Sequence, residues 1–474
     1  FGYAAGKIIE SFYNFNCSHL DKIVAQFHEW MTGTGVLYLK ERVPQVGTLF
    51  TAHATVVGRS IALNGLPLYK SLDNYNAETI ARQFGVLAKF SLEKLAAQEA
   101  DYFTTQSQIT NNECRHFLEK EADMLTPNGF DDAWVPGKED FNEKRSRSRE
   151  KVLEVAGALT GQNYSKDSIL ILTSGRNEIR NKGIDLFINA MGLLNRQSRL
   201  PQTIIAVLAV PSGQNIPKKD LLDRMNSKDF ASVKPEEFST HGLAEPENDQ
   251  ILKLLKSNGL LNRPEDRVKV VYIPTYLNGS DGVFNLNYYD LLIGFDGTIF
   301  PSYYEPWGYA ALESLSFHIP TLTTSVTGFG QWIKAYFPSL KDCTAIIERN
   351  DDNDQEVVAD LVKHIISCSN KVEKDIIKAR IKAYEISRTA QWKNLIGNLK
   401  NAYSDTIEET AARTELYAGK QPQGASTLQK STVDKPEWKK VLIQQRIPEN
   451  LAGLERLAKN LWWSWNYEGS ELFE

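Results

Sequence analysis

The sequence predicts an α/β protein made of two doubly wound domains, each with a parallel sheet. Short apolar runs rich in β-branched residues alternate with segments of helical pattern, and this alternation is typical of βαβ units. A turn signal at Pro127–Gly129 and a charged stretch at Lys138–Lys151 interrupt the alternation, which then begins again. With 474 residues, the chain has room for two or three domains of ordinary size.

Ten short runs are the predicted strands, and a helical segment follows most of them. In the first half they are Lys22–Phe27, Val46–Thr51, Asp101–Thr105 and Met124–Thr126. In the second half they are Ser168–Thr173, Thr203–Val210, Val268–Ile273, Thr298–Phe300, Ile319–Thr324 and Ala345–Glu348. We therefore place a first domain at residues 1–135 and a second at 136–403, with a polar surface insertion at about 211–260 that carries short helices.

Composition excludes several classes of function. The net charge of −5 argues against general nucleic-acid binding, which needs a basic surface. No apolar run approaches the roughly 20 residues that span a bilayer, and we expect no signal peptide. The four cysteines are scattered without a Cys-x-x-Cys pair, so we expect reduced thiols in a cytoplasmic protein. No cluster has metal-ligand spacing, so no metal is expected.

The stretch from Pro301 to Glu313 carries the strongest chemical signal. An apolar run leads into a turn that contains Glu305, two aromatic residues, a proline and a glycine, and a helix follows it. A strand end beside a helix start is the usual ligand crevice of an open α/β sheet. The free N–H groups there favour an anion, while Glu305 and Glu313 can accept hydrogen bonds from sugar hydroxyls.

This stretch resembles a signature of the eukaryotic type of glycogen synthase, glycosyltransferase family 3, in which Glu-Pro-Trp-Gly-Tyr precedes a second glutamate. The resemblance covers roughly residues 1–403 and implies the GT-B fold, two Rossmann-like domains that face each other across a cleft. It implies retaining transfer of glucose from a nucleotide sugar to the non-reducing end of an α-1,4-glucan such as glycogen, without a cofactor. UDP-glucose is the implied donor, and nothing in these residues excludes ADP-glucose.

Two cations mark the diphosphate side of the implied donor site. Arg176 and Lys182 lie in a glycine-containing loop between a strand and a helix, and this loop resembles the diphosphate-binding loop of the family. Arginine offers a bidentate fork and lysine a point charge, which together suit a diphosphate leaving group.

The resemblance assigns roles to the residues of the glutamate turn. Glu305 would contact the donor glucose and Glu313 the ribose. Around them, the residues implied in substrate binding are Tyr304, Trp307, Gly308, Tyr309, Gly328 and Gly330. Tyr303 and Tyr304 are candidates to stack on the base, although packing is the alternative for each aromatic residue. Gly328 and Gly330 would border the donor pocket, or simply form a turn at a helix start.

The first domain contributes His53 and Arg59. They lie in a run, Thr51 to Arg59, that resembles the family motif in which the histidine lies at the reacting sugar and the arginine faces the phosphates. His28 belongs to a His-Glu-Trp run at another strand end, where a structural role is the favoured alternative. Since no carboxylate is left unassigned, we expect same-face attack, with the departing diphosphate as base, rather than a covalent glycosyl-enzyme.

The sequence also departs from the family pattern. The glycine-rich N-terminal loop of the family is missing from it, so we expect the first domain to be truncated and this chain alone to be inactive or nearly so. Only Arg380 and Arg388 lie in the region where family members carry an arginine-dense helix that senses glucose 6-phosphate, which puts that regulation in doubt. The short insertion leaves homo-oligomer formation open.

The C-terminal part has a different character. Residues 404–435 have the Thr-, Gln-, Ser- and Gly-rich composition of a linker. Residues 436–474 resemble the opening of a short-type α-glucan phosphorylase, which implies a fusion, and Trp462, Trp463 and Trp465 are core residues or a carbohydrate platform.

Two other classes of function stay open at this point. A glucan-binding or scaffolding protein without turnover is disfavoured because Arg176, Lys182, Glu305 and Glu313 are all present. Another transferase of the same architecture, of the sucrose or trehalose type, is disfavoured by the Trp-Gly-Tyr run after Pro306.

Overall fold

The chain forms two parallel sheets, and a strand lies at each of the ten predicted places. We analysed a computed structural model that describes residues 1–418 except 19–20, 198–199, 214–215, 231–232 and 341–342, with side chains to residue 414. The strands are β1 (Ile23–His28), β2 (Val46–Ala52), β3 (Tyr102–Thr105), β4 (Met124–Leu125), β5 (Ile169–Ser174), β6 (Ile204–Ala209), β7 (Val268–Ile273), β8 (Gly297–Phe300), β9 (Thr321–Thr324) and β10 (Ala345–Ile347). All pairings between these strands are parallel. The predicted α/β class with parallel sheets is therefore confirmed.

The order of the strands fixes where a ligand crevice forms. The first sheet has the order β1-β2-β3-β4, and the second has the order β10-β9-β8-β5-β6-β7. In the second sheet the chain first builds outwards from β5 through β6 to β7, and then returns to add β8 on the other side of β5. The loops after β5 and β8 therefore leave the sheet in opposite directions, and such a switch point opens a crevice at the carboxyl ends of the strands.

Helices connect the strands and cover both faces of the sheets. They are α1 (Gly2–Asn16), α2 (Glu29–Arg42), α3 (Val56–Leu63), α4 (Ala77–Gln83), α5 (Leu87–Glu99), α6 (Gln108–Glu113), α7 (Lys138–Thr160), α8 (Ile184–Asn195), α9 (Lys219–Ser227), α10 (Gln250–Ser257), α11 (Tyr288–Leu292), α12 (Tyr309–Ser316), α13 (Gly328–Tyr336), α14 (Asp354–Ser369), α15 (Glu373–Ser387) and α16 (Trp392–Ala418). None of the described helices is both long and apolar enough to cross a membrane.

The central strands are buried on both faces, as their continuous apolar sequences require. Every residue of the inner strand β6 is buried, and so is every residue of β7 at the edge of the sheet. Two hydrophobic clusters lie on the two sides of the second sheet, and a third fills the first lobe, by which we mean the first sheet with its helices. Parallel strands need cover on both faces, which the flanking helices provide.

Two adjacent tyrosines join the second lobe, built on the second sheet, to the first. Tyr303 and Tyr304 follow β8, yet their side chains belong to the hydrophobic cluster of the first lobe and are 0% and 2% exposed. The Tyr303 hydroxyl bonds the carboxylate of Asp351 and accepts the N–H of Leu68 at 2.8 Å. Asp351 also accepts the N–H of Lys70 at 2.6 Å. Residues up to Glu415 form one compact unit.

The last described helix returns to the first sheet. On α16, Tyr403 donates to Gln26 at 2.6 Å, and Arg413 forms an ion pair with Asp101 at 2.6 Å. Residues 404–418 are thus helical, and the prediction of a linker that starts at residue 404 is wrong for them. The helix was missed because Thr406 and Thr410, rather than large apolar residues, form part of its buried face. The rest of the predicted linker and residues 436–474 lie outside the described residues.

The cysteines correct a second prediction. Cys343, just before β10, forms a disulfide with Cys368 of α14, while Cys17 and Cys114 are free thiols. The expectation of four reduced thiols is therefore wrong for this pair, and it no longer supports a cytoplasmic location. The two residues are 25 positions apart, and only the fold brings their Cα atoms to 5.6 Å, a separation that a disulfide allows.

Gly183→Ala should be one of the most destabilising substitutions in the second lobe. Gly183 has a φ of +65° at the start of α8, and a Cβ there would overlap with the carbonyl oxygen of Pro301. Gly259 has a φ of +70° with no atom within 4 Å of an added Cβ, so Gly259→Ala is a matched control. We expect about 1 kcal/mol for the control and more than about 3 kcal/mol for Gly183→Ala, measured by urea unfolding. Equal losses of unfolding free energy in the two variants would show that the close contact of Gly183 with Pro301 adds nothing to the cost of the substitution.

Candidate active site

Residues that the sequence places in different domains meet at one cleft. The loops after β5 and β8 of the second lobe lie against loops that follow strands of the first. Ser107, after β3, donates its hydroxyl to the carbonyl of Pro306 at 2.7 Å. Arg180, after β5, donates to the carbonyl of Gly65 at 2.7 Å. The carboxyl ends of both sheets therefore border the same space.

Lys182 and Glu305 form the centre of the second-lobe side. The Lys182 ammonium forms an ion pair with a Glu305 carboxylate oxygen, and the two side chains are 14% and 22% exposed. To reach it, the Lys182 stem runs past Gly175, where an added Cβ would lie 3.5 Å from its carbons. A cation and a carboxylate that are 123 residues apart thus share one edge of the crevice. This pair can contact both a phosphate and sugar hydroxyls.

Arg176 lies in the same loop but points elsewhere. Its side chain is 56% exposed, and its Nε lies 3.2 Å from Glu178 Oε1. An exposed ion pair of this kind contributes little to stability, so the guanidinium can leave it at small cost. The structure brings Lys182 and Glu305 together, and it leaves Arg176 as a solvent-exposed neighbour of that pair.

The turn that carries Glu305 is fixed by the start of α13. The N–H of Gly328 donates to the Glu305 carbonyl at 3.1 Å, and the N–H of Phe329 donates to the Trp307 carbonyl at 2.7 Å. Side chains at Gly328 and Gly330 would overlap with the carbonyls of Pro306 and Thr324. Both glycines are buried in the first turn of the helix. Of the two alternatives for these glycines, a turn at a helix start describes their position. Their lack of side chains lets the start of α13 lie close to the backbone of the glutamate turn.

Two of the aromatic residues predicted to bind substrate are core residues. Trp307 is 4% exposed and packs against Phe329, with ring centroids 5.7 Å apart. Tyr304 is buried in the first lobe, and so is its neighbour Tyr303. Stacking on a base does not fit the buried position of Tyr304, and the alternative of packing describes the Trp307 side chain. Both rings are buried among apolar residues. Tyr309, which lies beside Gly308 at the start of α12, is 43% exposed.

Glu313 lies in a group of tyrosines that the sequence reading missed. Tyr289 donates its hydroxyl to Glu313 at 2.9 Å, and Tyr288 bonds Ser174 at the end of β5 at 2.8 Å. Burial raises the pKa of Glu313, and the bond from Tyr289 opposes the shift. Burial also raises the pKa of Tyr309, and the nearby charge of Glu313 adds to that shift. The adjacent tyrosines at the start of α11 were the available sequence signal for this group, but two neighbouring aromatic residues are not specific to a ligand site.

His53 pairs with the other candidate histidine of the first lobe. Its Nε2 lies 2.9 Å from Nδ1 of His28, and the two rings stack with centroids 5.2 Å apart. Burial, and then the neighbouring His28, lower the pKa of His53 to about 4. Burial also lowers the pKa of His28. Both rings are therefore neutral near pH 7, and one of them must donate its N–H to the other.

The backbone of His53 is held by Glu29. The Glu29 carboxylate accepts the N–H of His53 at 2.6 Å and that of Ala54 at 3.2 Å. Glu29 itself has a φ of +63°, a conformation that costs about 1 kcal/mol or more in a residue with a side chain. A strained residue beside a predicted site residue is consistent with a functional constraint, and its carboxylate is committed to these two bonds.

Arg59 completes the first-lobe side from α3. Its Nε is buried and has no hydrogen-bond partner among the described residues. Burial raises the pKa values of Glu29 and Tyr304, and the positive charge of Arg59 opposes both shifts. Arg59 therefore lies at the interface with the second lobe, next to the loop that carries Glu305.

Two buried glutamates lie behind this wall and were also missed. Glu113 accepts hydroxyl bonds from Thr55 and Tyr304, and burial raises its pKa to about 7. Glu93 accepts the N–H of Val56 at 3.0 Å, and burial raises its pKa well above the ordinary value. In the sequences of α5 and α6 these glutamates resemble ordinary surface residues, so nothing in the sequence indicated that they are buried. In the described part of the chain, no group of three or more His, Cys, Asp or Glu side chains could hold a metal ion.

Solved structures show which fold this architecture belongs to. The catalytic domain of starch synthase IV from Arabidopsis thaliana, bound to ADP and acarbose, superposes with a TM-score of 0.50 over 86% of this chain and 77% of that one, at 14% identity. The N-terminal domain of a Candida albicans trehalose-6-phosphate phosphatase gives 0.50 over 88% and 75%, at 12% identity. At such identities the likeness concerns the fold alone, and it confirms the predicted GT-B architecture.

Sequence comparison finds relatives among curated enzymes. The chain is 29% identical over 451 residues to glycogen [starch] synthase of Caenorhabditis elegans, covering 83% of this chain and 67% of the relative. It is 29% identical over 448 residues to isoform 2 of Saccharomyces cerevisiae, covering 80% and 64%. The chain thus spans about two thirds of the length of these relatives.

Family models account for almost the whole sequence. Residues 447–474 match a model described only as a protein of unknown function. Residues 1–224 and 218–437 match the model described as glycogen synthase. The chain therefore belongs to the glycogen synthase family.

Proposed function

We propose that this protein transfers glucose, with retention, from a nucleotide-glucose to the non-reducing end of an α-1,4-glucan. The observation that carries the proposal is the Lys182–Glu305 pair, which lies at the switch point of the second sheet in a chain of the glycogen synthase family. Glu305 would accept hydroxyl bonds from the donor glucose, and Lys182 would then bind the diphosphate. Both have low exposure, so their electrostatic interactions with a ligand are weakly screened.

The first lobe would close the donor site from the opposite side. Arg59 has a buried, unpartnered N–H to offer to a phosphate. His53 is neutral near pH 7, so its ring can exchange hydrogen bonds with a sugar hydroxyl without bringing a charge. Glu313, already bonded by Tyr289, would hold the ribose hydroxyls. UDP-glucose is the favoured nucleotide sugar, and ADP-glucose is the alternative.

The arrangement favours same-face attack over a covalent intermediate. A glycosyl-enzyme needs a free carboxylate below the anomeric carbon. In the part of the chain that the structure describes, Glu29 accepts two backbone N–H groups and Glu113 accepts two hydroxyls. Glu93 accepts the N–H of Val56 with one oxygen, and its other oxygen is buried. The departing diphosphate, neutralised by Lys182 and Arg176, would then take the proton of the acceptor hydroxyl. No metal or other cofactor enters this proposal.

The segment after residue 436 belongs to a second part of the proposal. Residues 447–474 match a family model different from the one that covers the rest. This supports a fusion in which a phosphorylase-like domain begins there.

The neutral state of His53 predicts how stability depends on pH. Its pKa is about 4 in the folded chain and 6.5 in an unfolded one, so between these values the unfolded state binds the extra proton. The free energy of unfolding should therefore fall as the pH drops from 7 to 5. In His53→Gln this fall should be smaller by about 1–3 kcal/mol, measured by urea unfolding at both pH values. Identical slopes in the two proteins would contradict the assignment.

The reaction itself is tested in the full-length protein with glycogen as acceptor. UDP-glucose and ADP-glucose are compared as donors, and incorporation of labelled glucose is measured. Glu305→Ala should lower kcat by about a hundredfold or more, because its contacts strengthen as charge develops. Glu143→Ala, an exposed glutamate on α7, is the control and should keep full activity. Full activity in Glu305→Ala would overturn the site assignment, and turnover with neither donor would overturn the function.

A further inference from the structure

Glu113 connects the two lobes through a single oxygen atom. It is the last residue of α6 and is 2% exposed. Its Oε2 accepts the hydroxyl of Thr55, from the first lobe, at 2.5 Å, and the hydroxyl of Tyr304, from the second lobe, at 3.1 Å. Because both bonds end on one atom, the two hydroxyls cannot move apart without breaking one of them.

On the first-lobe side, this oxygen touches the turn that presents Arg59. Thr55 caps α3, and its hydroxyl oxygen accepts the N–H of Gly58 at 3.0 Å. A Cβ on Gly58 would overlap with Glu113 Oε2, so the carboxyl group lies directly against the backbone of that turn. Arg59 is the next residue, and its N–H bonds the Thr55 carbonyl at 3.0 Å. A shift of Glu113 would therefore move the base of the Arg59 side chain.

On the second-lobe side, the bond reaches the residue before Glu305. Tyr304 is 2% exposed and surrounded by the first-lobe core, so its ring moves together with that lobe. Glu305 follows it directly and carries the ion pair with Lys182. The other contacts between the lobes that involve Ser107 and Asp351 do not reach a site side chain. Ser107 bonds the carbonyl of Pro306, and Asp351 of the second lobe accepts the N–H groups of Leu68 and Lys70.

We propose that Glu113 is a positioning residue for donor binding, which holds Arg59 and Glu305 in register across the cleft through Thr55 and Tyr304. This inference rests on the proposed function, in which Arg59 and Glu305 contact the nucleotide sugar. Glu113 itself touches no substrate, because Thr55, Gly58 and Tyr304 enclose its carboxyl group. What it contributes is a fixed distance between two groups that belong to separate sheets, and such preorganisation lowers the cost of binding.

The test measures the affinity of the 474-residue chain for UDP by isothermal titration calorimetry. Tyr304→Phe removes one hydroxyl bond and should weaken UDP binding about fivefold, the value of one neutral hydrogen bond. Glu113→Leu should weaken it at least as much, whereas Glu113→Gln keeps an oxygen that accepts both hydroxyls and should bind like the wild type. Tyr304→Phe added to Glu113→Leu should cause no further loss, because both act through the same bond.

A matched control separates positioning from general stability. Tyr102 donates to the carboxylate of Asp405 at 2.9 Å on the far side of the first sheet, so Tyr102→Phe also loses a tyrosine–carboxylate bond. It should lower the melting temperature as Tyr304→Phe does, but leave the affinity for UDP unchanged. The proposal is wrong if Tyr304→Phe binds UDP as tightly as the wild type, or if Tyr102→Phe weakens binding equally. A wild-type chain that binds neither UDP nor ADP would overturn the assignment of the donor site, and this inference with it.

Discussion

The burial of Tyr303 and Tyr304 in the opposite lobe is the interaction on which the cleft depends. Each ring removes a large apolar surface from water, worth about 2–3 kcal/mol, and each buried hydroxyl then needs a hydrogen-bond partner. Tyr303 finds Asp351 and the N–H of Leu68, and Tyr304 finds Glu113. Because the two residues directly precede Glu305, the packing that joins the lobes also sets the position of the glutamate turn.

The strands were predictable because their physics is local. Buried parallel strands need continuous β-branched and apolar runs, and Ile204–Ala209 is such a run. The candidate loops were also recognisable, since Glu305, Lys182 and His53 lie at strand ends within distinctive runs. What joins them was not local. The pairing of Lys182 with Glu305 depends on the order of β5 and β8 in the sheet, which no single segment contains.

The errors arose where one residue type serves two purposes. An aromatic residue in a ligand loop can stack on a base or fill a core, and Trp307 and Tyr304 fill cores because another surface lies within reach. A threonine-rich segment can be a linker or a helix, and Thr406 and Thr410 form a helix because small residues let α16 lie close to the first sheet. Composition predicts the average behaviour of a residue type. The structure that such a residue adopts is decided by the surface against which it packs in the fold.

Electrostatics explains why the buried residues Glu93 and Glu113 can lie close to the proposed binding site for a diphosphate. Were Glu93 and Glu113 both ionised, their charges would oppose that of Arg59 and repel a diphosphate. Burial raises the pKa of Glu93 well above its usual range and that of Glu113 to about 7, which favours the neutral forms of both. His53 and His28 are neutral for the same reason, since burial lowers the pKa of each. Desolvation thus lowers the negative charge of this wall, where Arg59 is a cation that an anion could meet.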